Sequence, residues 1–218
     1  KRVAMGRFAH EAAVCSLPKA GEPLAFYMGC DARNEYIYKF VSTAVWDPRD
    51  VGGGLVAGDK YLGEGKLYAA RFDATGQGQW LELTIADPRI ANHSAYKFAN
   101  QADVFVNARH AADAVGATKM DRPEWGAVNY RNGEVYFALT NNSGRSTTDE
   151  ANPRTTNRTG HIIRWLEDGS SAATTFQWDI FMLAGGTSGP MAGAVFPGDA
   201  SEIALTDDNI VASPDGIW

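Results

Sequence analysis

The chain has 218 residues, of which 44% are hydrophobic and 21% charged, and its formal net charge is -6. That is enough apolar material for one substantial core, and the acidic balance argues against a nucleic acid or an anionic membrane recognised through a broad basic face. No apolar run approaches the roughly 20 residues of a membrane-spanning helix, and no cationic stretch followed by an apolar core opens the chain as a signal peptide would. Two cysteines, Cys15 and Cys30, form no CxxC pair and have no paired histidines nearby, so zinc and thioredoxin-like chemistry are unsupported; pairing and free thiols both stay open.

In chain order, the first chemical feature is GRFAHEAA at 6–13. His10 and Glu11 are adjacent, so in extended backbone they face opposite ways and only one of them can enter a shared pocket. Short alternating segments follow at 24–28 and 35–41. In the second of these Tyr36, Tyr38 and Phe40 line one face, and Ile37, Lys39 and Val41 the other. The stretch 47–66 is rich in glycine and charge and reads as a long loop. Strand patterns resume at 67–72 and 79–84, divided by the glycine-rich turn at 73–78.

From 101 to 115 the period changes. Val104, Ala108, Ala111, Ala112 and Val115 recur at helical spacing, Gly116 is a C-terminal stop, and Arg109 and Asp113 stand four residues apart as a solvated ion pair. This predicts a helix inserted in a β framework. His110 reads as a surface or cap residue. Further strands are predicted at 134–139, 161–166, 174–183, 202–205 and 210–212. The intervening stretch 143–160 holds Arg145, Arg154 and Arg158 with almost no apolar residues, which suits a rim insertion whose arginines could assist anion capture; a solvated surface loop is the plainer alternative. Strands of this spacing suit a sandwich, barrel or propeller.

The inserted helix delivers the chain into TKMDRPEWGAV at 118–128, the most site-like stretch in the sequence. Proline disfavours helical backbone in the residue before it, so Arg122 is expected to be extended. Arg122 and Glu124 then project to one side, and Asp121 and Pro123 to the other. A guanidinium fork grips phosphate in bidentate fashion, and a carboxylate holds a hard cation that polarises the same phosphate. Read alone, the same residues also make a structural ion pair at a strand start. The chain starts at Lys1 and stops at Trp218 within SPDGIW, which leads us to expect that it is part of something longer.

Six strings carry a resemblance: GRFAHEAA, YMGCDARNEYIYKFVS at 27–42, KLYAARFDATGQGQWLEL at 66–83, ARHAADAVGATKMDRPEWGAV at 108–128, NPRTTNRTGHIIRW at 152–165 and FQWDIFMLAGG at 176–186. Together, and in this order, they resemble the PhoX family of bacterial alkaline phosphatases. The resemblance implies that residues 1–218 are part of a single β-propeller phosphatase domain, incomplete in this chain, with the helical segment near 101–116 as an insertion. It implies export in folded form by the twin-arginine route to the periplasm or beyond, and hydrolysis of small-molecule phosphomonoesters with iron and calcium. The remainder of the propeller would be its structural partner.

Carried over residue by residue, the resemblance implies that Glu11 of GRFxHE and Glu124 of DRPE hold metal. Arg122 is implied to contact phosphate, so that Arg122 and Glu124 form the catalytic pair, and Asp215 of PDG is a further calcium-binding carboxylate. The family's iron-binding cysteine lies upstream of GRFxHE and matches neither Cys15 nor Cys30; Cys30 stands where the family often has an acidic residue. Two other classes fit a propeller: a calcium-dependent lactonase or esterase, which has less need of the Arg122 fork, and a non-catalytic binding module.

Overall fold

Thirteen short strands and four helices make up the described part of the computed structural model, which covers residues 2–188, 192–196, 201–203 and 205–218. The strands are β1 (Val14–Cys15), β2 (Pro23–Gly29), β3 (Arg33–Glu35), β4 (Ile37–Val45), β5 (Gly65–Phe72), β6 (Gln77–Glu82), β7 (Met120–Asp121), β8 (Pro123–Val128), β9 (Val135–Leu139), β10 (His161–Glu167), β11 (Thr175–Leu183), β12 (Ala194–Phe196) and β13 (Ser201–Ile203). The helices are α1 (Gly54–Leu62), α2 (Pro88–Ala91), α3 (Gln101–Val106) and α4 (Ala108–Val115). The predicted strand at 202–205 thus coincides in part with β13, and residue 204 lies outside the described residues. At 210–212 there is a single bridge, Val211 to Gly185, in place of a strand.

The architecture is mainly β with a helical insert, as the alternation implies. Nine strands hydrogen bond in one antiparallel path, β1-β2-β4-β5-β6-β11-β10-β9-β8, and β8 packs back against β1 and β2, so the sheet nearly closes. A closed path removes the exposed edges that invite unwanted pairing. β3 and β7 form a separate two-stranded ribbon, with Arg33 opposite Asp121 and Glu35 opposite Met120.

Both faces of β4 are buried over 37–42, which explains why its sequence there is largely apolar. Ile37 and Val41 point into the barrel with Tyr27, Phe72, Trp80, Phe137, Trp165 and Phe176. Tyr36, Tyr38 and Phe40 point outward, under Val104, Ala108, Ala111, Ala112 and Val115 of the helices. Lys39, between Tyr38 and Phe40, therefore lies inside the barrel. Its ammonium donates to Glu167 at 2.9 Å and to the Ala173 carbonyl at 2.8 Å, and Tyr27 and Trp80 donate to the same carboxylate. A charge taken out of water survives only when paired and hydrogen bonded in this way.

Three expectations need correction. The helix predicted over 101–115 is two helices, because the Asn107 amide bonds to the Asp103 carbonyl and carboxylate and to the Tyr96 hydroxyl, and the chain kinks there. Arg109 and Asp113 do not pair with each other. Arg109 reaches Glu35 at 2.7 Å, while Asp113 accepts from Tyr36 and from Lys119, the latter at 3.1 Å, so α4 is tied to β3 and to the approach to β7. The stretch 47–66 is not a loop throughout but contains α1. Cys15 and Cys30 are both free thiols. Among the described residues no helix is long and apolar enough to cross a membrane.

Candidate functional site

The site grows from the end of β2. There the chain turns at Cys30 and Asp31 and pairs with the opening segment: His10 bridges Cys30, the Asp31 amide donates to the Ala9 carbonyl at 2.9 Å, and the Glu11 amide to Gly29 at 3.3 Å. Of the adjacent pair, His10 turns aside, bonding the Gly6 carbonyl at 3.1 Å and stacking on Phe8, while Glu11 faces the site. Gly29 makes the convergence possible. A Cβ there would sit 2.5 Å from the Glu124 carbonyl oxygen and 2.6 Å from that of Pro123, so only a residue without a side chain lets β2 touch the start of β8. The result is one cluster: carboxylate oxygens of Glu11, Asp31 and Glu124 lie within 4.8 Å of one another, Glu11 exposed, Asp31 half-buried and Glu124 buried.

Arg122 is not extended. Its φ is +56°, in the left-handed region, because the chain must leave the β3–β7 ribbon and join the β8–β9 ladder at this one residue. The Thr140 amide donates to its carbonyl at 3.1 Å and helps fix the turn. Such strain in a residue with a side chain persists only where the surroundings over-determine it. The sidedness expected of the motif holds all the same. Arg122 grips Asp31 with two bonds, Nε to Oδ1 at 2.8 Å and Nη2 to Oδ2 at 3.1 Å, and Nη2 also lies 3.1 Å from Glu124 Oε1. Asp121 points the other way, fully buried, and accepts from Arg145 and from the Asn157 amide.

The stretch 143–160 is therefore a solvated loop only in part, with 146–150 exposed, and Arg145 is tied to Asp121 instead of offering an anion-capture surface. Asn142, Arg145, Asn152 and Asn157 are buried and face inward. Arg154 bonds Thr159 and the Ala184 carbonyl, and only Arg158 of the three named arginines is exposed. The same stretch seats the Asp215 turn. Ser213 donates from its amide to Thr159 at 2.6 Å and from its hydroxyl to the Arg158 carbonyl at 3.2 Å. Gly160, at φ +76°, leaves no room for a Cβ, which would lie 2.3 Å from the Leu139 carbonyl and 2.9 Å from Pro214. Asp215 stands outside the three-carboxylate group, yet its charge acts on both Arg122 and Glu124.

Burial pushes the Glu124 carboxyl up to about 8, helped by its hydrogen bond to Asp31 and by repulsion from Asp31 and Asp215, with Arg122 pulling against these. One guanidinium thus faces four carboxylates. The donor set, oxygens only and in excess of the local positive charge, suits a hard cation, which would offset the burial and the repulsion that raise the Glu124 carboxyl. Sequence reasoning brought forward Glu11, Arg122, Glu124 and Asp215 but passed over Asp31. The available signal was a carboxylate just beyond the end of a strand, in the string GCDAR, on a chain already suspected of holding metal.

A family model described as alkaline phosphatase PhoX matches residues 1–218. Among solved structures, this chain is similar to Pseudomonas fluorescens PhoX in complex with vanadate, a transition state analogue, at 40% sequence identity and a TM-score of 0.79. The match covers 99% of this chain and 38% of that one, so the chain spans well under half the length of that relative. No match is found among curated proteins.

Proposed function

The chain belongs to the PhoX family of alkaline phosphatases, and from that premise we propose that it contributes the phosphate grip and part of the metal cluster of a phosphomonoester hydrolase that acts outside the cytoplasm, in the periplasm or beyond. The observation that carries this reading is the convergence of Glu11, Asp31 and Glu124, from three separate parts of the sequence, around the Arg122 fork. A lactonase or a passive scaffold would need the carboxylates but not the guanidinium among them. The vanadate held by the Pseudomonas fluorescens relative supports the same direction.

In this proposal Glu11, Asp31 and Glu124 hold the cation nearest Arg122, and Asp215 adds negative charge at the rim. Iron and calcium, bound there and by residues beyond this chain, would neutralise phosphoryl charge and acidify the attacking water. Arg122 binds the phosphoryl oxygens through its planar donors and keeps its charge at any working pH. Asp31 orients the fork through two parallel bonds before substrate arrives. Glu124, whose carboxyl burial pushes up to about 8, would hold the cation as a carboxylate, with the cation as its counter-charge.

The test is Arg122→Ala in the full-length enzyme. We expect kcat/KM for a phosphomonoester to fall roughly 10²- to 10³-fold, the scale of losing a preorganised donor at developing charge, with weaker inhibition by inorganic phosphate. Unchanged kinetics, or a lactone hydrolysed in preference to a phosphomonoester, would reject the assignment.

A further inference from the structure

A buried network that never touches the site holds Asp121, the residue before Arg122. β7 is only two residues long, so its ladder cannot by itself hold the strained residue that follows. Arg145, with a side chain 6% exposed, supplies what the ladder lacks: its Nε donates to Asp121 Oδ1 and its Nη2 to the Lys119 carbonyl at 2.7 Å, clamping the strand on both sides of Met120. Asn157 completes the grip on Asp121 by donating to Oδ2 at 2.9 Å.

The clamp is itself rigidly seated. The Arg145 amide donates to the Asn142 carbonyl at 3.1 Å, the Thr156 amide to the Arg145 carbonyl at 2.8 Å, and the Asn142 amide to the Asn157 carbonyl at 2.6 Å. The Asn157 side chain accepts from the Gly160 amide at 3.0 Å and donates its second proton to His161 Nδ1 at 3.2 Å, while His161 Nε2 donates to the Ala151 carbonyl at 2.8 Å. Both oxygens of Asp121 are therefore fixed, and Arg122 inherits that fixation one bond further along the backbone.

We propose that Arg145 is a positioning residue for the phosphate grip of Arg122, acting through the Asp121 carboxylate, with Asn157 sharing the task; the inference rests on the phosphatase reading above. Displacing a binding group by an ångström suffices for large losses, so a loosened Asp121 is felt at the phosphate. Lysine keeps the charge of Arg145 but cannot bond Asp121 and Lys119 together from one planar fork.

The experiment is a double-mutant cycle in the full-length, metal-loaded enzyme, with Arg145→Lys and, as a second and milder variant, Asn157→Ala, each made alone and combined with Arg122→Ala. Metal content and thermal unfolding are recorded for every variant. Each single change should raise KM for a phosphomonoester and Ki for inorganic phosphate about tenfold, with kcat moving far less and metal content unchanged. In the Arg122→Ala background the same changes should add no more than about twofold, because the group they position is gone. Loss of kcat at constant KM and Ki, or an undiminished effect in the Arg122→Ala background, would mark a merely structural role and overturn the inference. A wild-type enzyme inert towards phosphomonoesters would overturn the phosphatase reading and this inference together; an active one indifferent to both variants overturns the inference alone.

Discussion

Arg122 and Glu124 meet at 3.1 Å although the backbone at Arg122 is left-handed. Their shared side follows from alternation in the sequence, but in the structure Arg122 adopts left-handed backbone and still meets Glu124, because Asp121 is anchored on the opposite side. The anchor, Arg145, is 24 residues away along the chain, and no local rule places it. Asp31 was hidden for a similar reason, since its importance comes from the loop on which Glu11 approaches it. Glu124 offers the sharpest prediction at this scale. Its folded pKa, about 8, lies above the ordinary 4.5, so in cation-free protein its contribution to stability is fully present below about pH 4.5 and is lost as pH rises through about 8. Glu124→Gln, which mimics the protonated form, should therefore remove that loss. Thermal unfolding without metal between pH 5 and 9, a range of roughly the shift itself, should show the wild type weakening relative to the variant. Added calcium should rescue the wild type and leave the variant unmoved, whereas parallel curves would mean that Glu124 ionises freely.

At the level of elements, most strands stand where alternation predicts them, because a sheet buried on at least one face writes its period into the sequence. Helix α1 was illegible: Leu55 and Val56 are exposed to solvent, so no apolar stripe marks its period. The break between α3 and α4 turns on the side-chain bonds of Asn107, which compete with the helix ladder and leave the apolar spacing untouched. The contact of β2 with β8 matters most for the site. Gly29→Ala places a methyl against two backbone carbonyls, and overpacking of this kind costs about 1–3 kcal/mol. Since the carbonyls cannot rotate away, we expect the strands to part and Glu124 to draw back from Asp31 and Glu11. Calorimetric titration of the variant with calcium should show weaker binding together with a lower melting temperature; a stability loss with calcium binding intact would separate this contact from the site.

For the molecule as a whole, the sequence supports a β framework and an inserted helical segment but not the strand order, since β6 meeting β11 is a long-range choice that local patterns do not encode. Lys39 is the instructive residue. Alternation put it opposite Tyr38 and Phe40, yet its burial beside Glu167 follows only once the sheet curls into a nearly closed path. That closure brings the loops at the ends of β2 and β7 together, and with them acidic groups from positions 11, 31 and 124. Anomalous diffraction from crystals of the full-length protein grown with iron and calcium tests this convergence most directly. The account predicts a metal peak about 2.3–2.6 Å from carboxylate oxygens of Glu11, Asp31 and Glu124, the range of calcium–oxygen bonds, with the Arg122 guanidinium beside it. Metal found elsewhere, with those three carboxylates meeting only water, would contradict it.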